Sequence, residues 1–213
     1  MRIISRLLRS ERGASAAEFA LVLPLFLILL FGVIDAGRFM WEYNQAEKAT
    51  QVGARVAIVT DVLSSGLRDE DYAGQTVDGQ TIGAGDRIPA DALGTLKCTN
   101  TGCTCEVDPC PAVGTFDTDT FNDVLVARMR QIYPAIAAEN VEVRYSGSGL
   151  GTAASTAGGG GGVTESMEIS PLVTVTLKDL QFRPITALLF ATIDMPSFST
   201  TLTAEDASGQ YSN

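Results

Sequence analysis

The stretch ERGASAAEFALVLPLFLILLFGVI, residues 11–34, decides how the rest of the chain is read. An Arg and a Gly precede a run of small residues, one carboxylate, Glu18, stands five places after Gly13, and no charged residue interrupts the sequence from Phe19 to Ile34. With Ala14 to Ala17 added, the segment reaches the roughly 20 residues that a helix needs to cross a bilayer. Arg2, Arg6, Arg9 and Arg12 lie before it, whereas only Arg38 and Lys48 follow closely, so the amino end is expected to stay cytoplasmic and the remainder to face the other way. Glu18 does not fit a plain anchor. A carboxylate inside a spanning segment costs about 3 kcal/mol on insertion scales, so it either snorkels to a nearby interface or has a partner.

Gly13, then Ala14-Ser15-Ala16-Ala17, then Glu18-Phe19 and the apolar run resemble the processing site of the type IV pilin superfamily. The form is that of Flp-type pilins and of the TadE-like pseudopilins, or minor pilins, of Tad (tight-adherence) pilus systems. The resemblance implies that a prepilin peptidase cuts after Gly13 at the cytoplasmic face and frees an ammonium on Ala14. It gives Glu18 and Phe19 an assembly and register role, with Glu18 of one subunit paired to the new amino terminus of another, because a paired charge in low dielectric is cheaper than a lone one. The partners it implies are the prepilin peptidase, other pilin and pseudopilin subunits, the Tad inner-membrane assembly platform and the lipid bilayer. The place it implies is the cytoplasmic (inner) membrane, in a single pass with an extracytoplasmic carboxy-terminal domain, and incorporation in an extracellular pilus that serves adhesion and surface attachment. Ala14, and not a bulkier apolar residue, would open the mature chain, a departure that bears on N-methylation and not on cleavage.

Outward from this stretch the helical pattern continues. From Asp35 to Thr60 there is no Pro and only Gly37 and Gly53, and Ala49, Val52, Val56 and Val59 recur at three- and four-residue steps with Glu47, Gln51 and Arg55 roughly opposite. A helix from Ala14 to Thr60 would be about 70 Å long, membrane-spanning to about residue 34, with Val52, Val56 and Val59 as core contacts of its second half. Pro24 is expected to kink the membrane half, and Trp41 and Tyr43 to sit in an aromatic belt. A competing reading takes residues 1–34 as a secretory signal with a cut after Ala36, although Ile34 is a poor residue for that site.

The formal charge is −10, and it falls to −13 without residues 1–13, which hold four Arg and one Glu. So acidic a chain argues against nucleic acid and anionic lipid as partners. No His is present, which removes the commonest general base and metal ligand. Residues 61–115 read as a loop-rich segment. Asp69, Glu70, Asp71, Asp78 and Asp86 lack the spacing of an EF-hand loop and read as a solvated surface. Cys98, Cys103, Cys105 and Cys110 are spaced C-x4-C-x-C-x4-C. Outside the cytoplasm they should form two disulfides, either Cys98–Cys103 with Cys105–Cys110 or Cys98–Cys105 with Cys103–Cys110, a zinc site being the rival reading.

Residues 116–213 supply the rest of an α/β domain. Asp117 or Thr118 is placed to cap a helix to about Ile132 that buries Phe121, Val124, Leu125, Met129 and Ile132. Val141, Val143 and Tyr145 alternate as one strand, and Ile169, Val173, Val175 and Leu177 as another, with Pro171 at its start. Phe198, Thr200, Leu202 and Ala204 alternate as a third. Residues 146–162 form a Gly-rich loop with no phosphate-cradle signature, Pro184 opens a short helix through Phe190, and the tail from Glu205 is polar. The expectation is an α+β, pilin-like fold in which a long amino-terminal helix packs on a small antiparallel sheet of about three strands with short helices. No catalytic triad, nucleotide loop, metal set or cofactor site is read from the sequence. An enzyme is therefore the weakest reading, and an uncleaved membrane-anchored binding or adhesion module is the alternative to a pilin-class protein.

Overall fold

The computed structural model describes residues 14–153, 167–188 and 192–204. Gly13 with the basic leader, the glycine run 158–162, the end of the short helix at Phe190 and the tail from Glu205 lie outside the described residues.

Helix α1 spans Ala14–Val59, 46 residues, and runs through Pro24. Proline has no N–H to donate to the carbonyl four residues back, so the Ala20 carbonyl loses its helical partner. The chain sorts into two compact units. One holds the helix up to Glu42 together with Gln181–Asp194, and the other holds Tyr43–Leu180 together with the strand that follows Met195.

In the second unit, helix α2 is a single turn, Ser65–Arg68, whose cap Ser64 accepts from the Leu67 N–H. Strands β1 (Thr76–Val77) and β2 (Gln80–Thr81) form a hairpin around Asp78-Gly79. Both turn residues have positive φ, 52° and 78°, the conformation that an Asp-Gly pair favours in a tight hairpin. The acidic residues of this region serve as local acceptors: Asp71 takes the Ala73 N–H, Asp86 the Gly83 N–H and Asp69 the Arg68 guanidinium.

Strands β3 (Thr95–Thr99), β4 (Gly102–Val107), β5 (Val141–Ser146), β6 (Leu172–Leu177) and β9 (Phe198–Thr203) make one antiparallel sheet in the order β4-β3-β5-β6-β9. β5, β6 and β9 are the three strands of the alternating pattern, and the cysteine-bearing hairpin β3–β4 adds two more. Period-2 alternation puts Leu96, Cys98, Val141, Val143, Tyr145, Val173, Val175 and Leu177 into the core. The opposite face is threonine-rich and charged. On it Arg144 pairs with Glu106 and with Glu142, Lys178 pairs with Glu142 at 2.7 Å, and Lys97 with Glu106 at 3.4 Å. The hydrogen bond from Arg144 holds the Glu106 carboxyl below the usual carboxylate range.

The face that α1 offers this core differs from the expected one. Val56 is buried, Val52 half-buried and Val59 is 41% exposed, whereas Ala46, Ala49, Thr50, Gly53, Ala54, Ala57 and Thr60 are buried. Small residues win because the backbone approaches the sheet closely: a Cβ on Gly53 would lie 2.8 Å from Met129 Sδ and 3.2 Å from Val175 Cγ1. Thr50 and Thr200 hydroxyls meet at 3.4 Å. Tyr43 belongs to the same packing, its ring edge-on to Phe198 at 4.8 Å, and is a domain contact in place of the expected belt residue.

The helix after Asp117 is also corrected. Asp117 Oδ1 accepts the Thr120 N–H as a cap, but Thr120–Val126 is π-helical before helix α3, Ala127–Ile132. The Ala127 N–H reaches back five residues to the Asn122 carbonyl. The extra residue in this turn shifts the buried face, so Val126 is buried while Val124 and Ile132 are half-buried.

In the first unit, β7 (Gln181–Phe182) and β8 (Ile193–Asp194) pair antiparallel. Past Pro184 the chain forms a 3-10 turn, Ile185–Leu188.

Candidate functional site

From Phe19 to Ile34 the described residues leave α1 almost uncovered, Leu23 alone being half-buried. Phe19, Leu21, Leu25 and Leu29 are 64%, 80%, 71% and 66% exposed, and Phe26, Ile28, Leu30, Val33 and Ile34 are exposed as well. A contiguous apolar surface of this extent is not left in water and marks a lipid or protein contact. Among the described residues one helix is long and apolar enough to cross a membrane, and it is this one. Ala14 is the first described residue of the helix, and Glu18 and Phe19 are exposed on its first turns. Glu18 is the sole charge between Ala14 and Ile34. Its carboxylate therefore stands at the start of an exposed surface that is otherwise uncharged to Ile34.

At the other end of the apolar run stands Asp35, which the sequence reading leaves without a role. It is 6% exposed. Its Oδ1 accepts the Ile185 N–H at 2.6 Å, and its Oδ2 accepts the Thr186 N–H at 2.9 Å and the Thr186 hydroxyl at 2.8 Å. The carboxylate thus caps the 3-10 turn from outside, taking N–H groups that such a turn leaves without internal partners. Arg38 lies 3.4 Å from Asp35 and 3.5 Å from Glu42, donates to the Arg183 carbonyl at 3.4 Å and sits over the Phe182 ring at 5.4 Å. Phe182 is edge-on to Phe39 at 5.4 Å. The signal in the sequence is the position of Asp35 itself, a carboxylate directly after sixteen uncharged residues; its partners lie 150 residues away.

The four cysteines are all bonded. Cys98 pairs with Cys103 and Cys105 with Cys110, one of the two connectivities left open by spacing. Cys98 and Cys103 face each other across β3 and β4, so the register of the hairpin sets the first bond. Asp108 lies close to the Cys105 and Cys110 sulfurs, but two sulfurs joined to each other are not thiolate ligands.

A cavity of about 400 Å³ is lined by Asp78, Asp91 and Asp108 with Val77, Leu93 and Pro109. Its carboxylates are exposed and converge on no buried polar group.

No curated protein and no solved structure matches the chain. A family model does: that of TadE-like protein, over residues 13–55. The match begins at Gly13, takes in Glu18, the exposed apolar run and Asp35, and ends within the buried small-residue face, about a fifth of the chain in all. Over this helix, and over it alone, the chain is similar to TadE-like proteins.

Proposed function

We propose that this protein is a minor pilin or pseudopilin of a Tad/Flp pilus, a single-pass membrane protein cut by a prepilin peptidase after Gly13 and active in pilus assembly. The observation that carries the proposal is the coincidence of the TadE-like match with a bare apolar helix whose only charge is Glu18. TadE-like proteins are structural, which favours assembly over catalysis. In this reading the bilayer covers the apolar surface before assembly and neighbouring pilin helices cover it afterwards. Glu18 of one subunit then pairs with the Ala14 ammonium of another and sets the axial step between them. The assembly platform of the inner membrane and the other pilin subunits are the partners, and surface attachment by the finished pilus is the outcome. Asp35 speaks against a secretory cut after Ala36, since that cut would discard the carboxylate that holds Ile185 and Thr186.

The test is the mass of the membrane-extracted protein from cells with and without a prepilin peptidase. A chain that starts at Ala14 only when the peptidase is present supports the reading. A start at Met1 in both strains would assign an uncleaved anchored module instead, and a start at Gly37 a secreted domain.

A further inference from the structure

The hairpin that docks on α1 within the first unit is directional. Phe182 meets Phe39, and the next contacts, from Ile185 and Thr186, are to Asp35. Passing from Phe182 to Thr186, the chain therefore moves back along the helix by four residues, about 6 Å of rise, toward the apolar run that ends at Ile34. Residues 184–193, PITALLFATI, contain no charge. Ile185, which opens this turn, and Ile193, on the returning strand, are 53% and 47% exposed, so neither is spent on the core. Ile193 pairs with Phe182, over which Arg38 stands, and Arg38 also donates to the Arg183 carbonyl, so Ile193 shares its level along the helix with these two exposed or half-exposed arginines while Ile185 lies nearer the apolar run. Ile185 beside the end of a spanning helix, followed by a level that holds Ile193 and two arginines, is the order of hydrocarbon and headgroup layer at a bilayer surface. The docking also removes an obstacle, because the Asp35 carboxylate is satisfied by three donors of the hairpin at the depth where lipid would otherwise meet it.

We propose that Ile185 and Ile193 form a second membrane contact, seating this hairpin in the interfacial layer of the leaflet at which α1 leaves the bilayer, with Arg38 and Arg183 at the phosphate level. The proposal rests on the membrane-anchored reading of α1. It gives the protein a fixed depth in the membrane and ties Asp35, Arg38 and the hairpin into one collar around the helix exit.

The chain holds a single Trp, Trp41, so depth is measurable by emission. In a Trp41→Phe background, the full chain carries either Ile193→Trp or, as reporter of the span, Leu27→Trp, and is reconstituted in phosphatidylcholine–phosphatidylglycerol vesicles with lipids brominated near the headgroup or near the bilayer centre. The expected result is loss of Leu27→Trp emission to deep bromine and loss of Ile193→Trp emission to shallow bromine, unchanged when protein is diluted in lipid. Quenching of Leu27→Trp with none of Ile193→Trp overturns the proposal and leaves the anchor standing. No quenching of Leu27→Trp overturns both. A shielded Ile193→Trp whose blue-shift disappears on dilution assigns the patch to a second copy of the chain, and so also overturns it. Ile185→Trp provides the same readout should Ile193→Trp fail to fold.

Discussion

The two halves of helix α1 solve opposite packing problems with the same backbone. From Phe19 to Ile34 the side chains are large, apolar and exposed. From Ala46 to Thr60 the buried ones are mostly small, Ala46, Ala49, Thr50, Gly53, Ala54, Ala57 and Thr60, with Val56 the one larger apolar member. A fluid partner such as lipid fills any outline, so bulk costs nothing there and adds apolar area. A sheet is a fixed partner packed at crystal-like density, so the helix must match its surface, and only a smooth face lets the backbone come close. Hydrophobicity alone would mark the first half as the core and the second as the surface; side-chain volume reverses that assignment.

The strongest way to break this comparison is Glu18→Gln. If the first half of the helix serves assembly and not only anchorage, the variant keeps the isolated domain's melting behaviour and loses nearly all incorporation into pili, read by shearing cells and probing the filament fraction. Normal piliation would reduce the first half to a lipid anchor and remove the role given to Glu18.

Next in size is Asp35→Ala. It leaves the Ile185 and Thr186 N–H groups and the Thr186 hydroxyl without their acceptor, each lost partner costing about 1–3 kcal/mol. Amide exchange at Ile185 and Thr186 should quicken by more than about tenfold, since 1.4 kcal/mol is a factor of ten, while amides of β5 and β6 stay protected. Asp35→Asn retains one oxygen acceptor and should recover part of the protection. Uniform loss of protection would mean that Asp35 supports the whole chain and not the hairpin alone.

A matched pair of glycines sharpens the contrast further. Around Gly32 nothing lies within 4 Å of an added Cβ, whereas at Gly53 Met129 and Val175 are already there. Gly53→Leu should cost about 1–3 kcal/mol by overpacking, and Gly32→Leu should leave the domain's urea midpoint unchanged. Gly53→Ala should fall near zero, since a helix gains about 1 kcal/mol from Gly→Ala and the flexible Met129 thioether has room to yield. Equal effects of the two leucines would contradict the division into a fluid-facing and a sheet-facing half.

The parts of the fold that were legible are those whose signal is local. The uncharged run with Glu18 at a fixed offset from Gly13 reads as one helix, and the alternations at Val141–Tyr145, Val173–Leu177 and Phe198–Leu202 read as strands without help from elsewhere. The β3–β4 hairpin carries the same alternation, Leu96 then Cys98, but four cysteines and a Thr-Asn-Thr-Gly turn make the stretch resemble a loop. The small-residue face escapes because a hydrophobic pattern marks Val52 and Val59, while the packing rewards close approach at Gly53. The π-helical turn shifts Val124 for Val126, and no periodicity rule registers one extra residue. Asp35 is the deepest omission: nothing near it announces Ile185 and Thr186, and only the folded chain brings them together.

The smallest expected effect concerns two buried tyrosines in the sheet-facing unit. Burial pushes the Tyr145 phenol well above its ordinary value of about 10, against the weaker pull of the Leu63 N–H that donates to its oxygen. Burial also raises Tyr72, helped by the charges of Glu70 and Glu168. A raised folded value means that the unfolded chain releases its proton first, so the stability is fully present below about pH 10 and is lost above it, by about 1.4 kcal/mol per pH unit for each tyrosine. Urea midpoints should hold flat to about pH 9 and then fall, and no free thiol is present among the described residues to reshuffle the disulfides on the way. Tyr72 separates the cause from general alkaline damage. Its hydroxyl is buried without a hydrogen-bond partner among the described residues, so Tyr72→Phe should be neutral or stabilising at pH 7 by up to about 1 kcal/mol. It should also flatten the alkaline slope by the share of one tyrosine. A Tyr72→Phe protein that is less stable at neutral pH, with the slope intact, would show that the hydroxyl has a partner and that the alkaline loss comes from elsewhere.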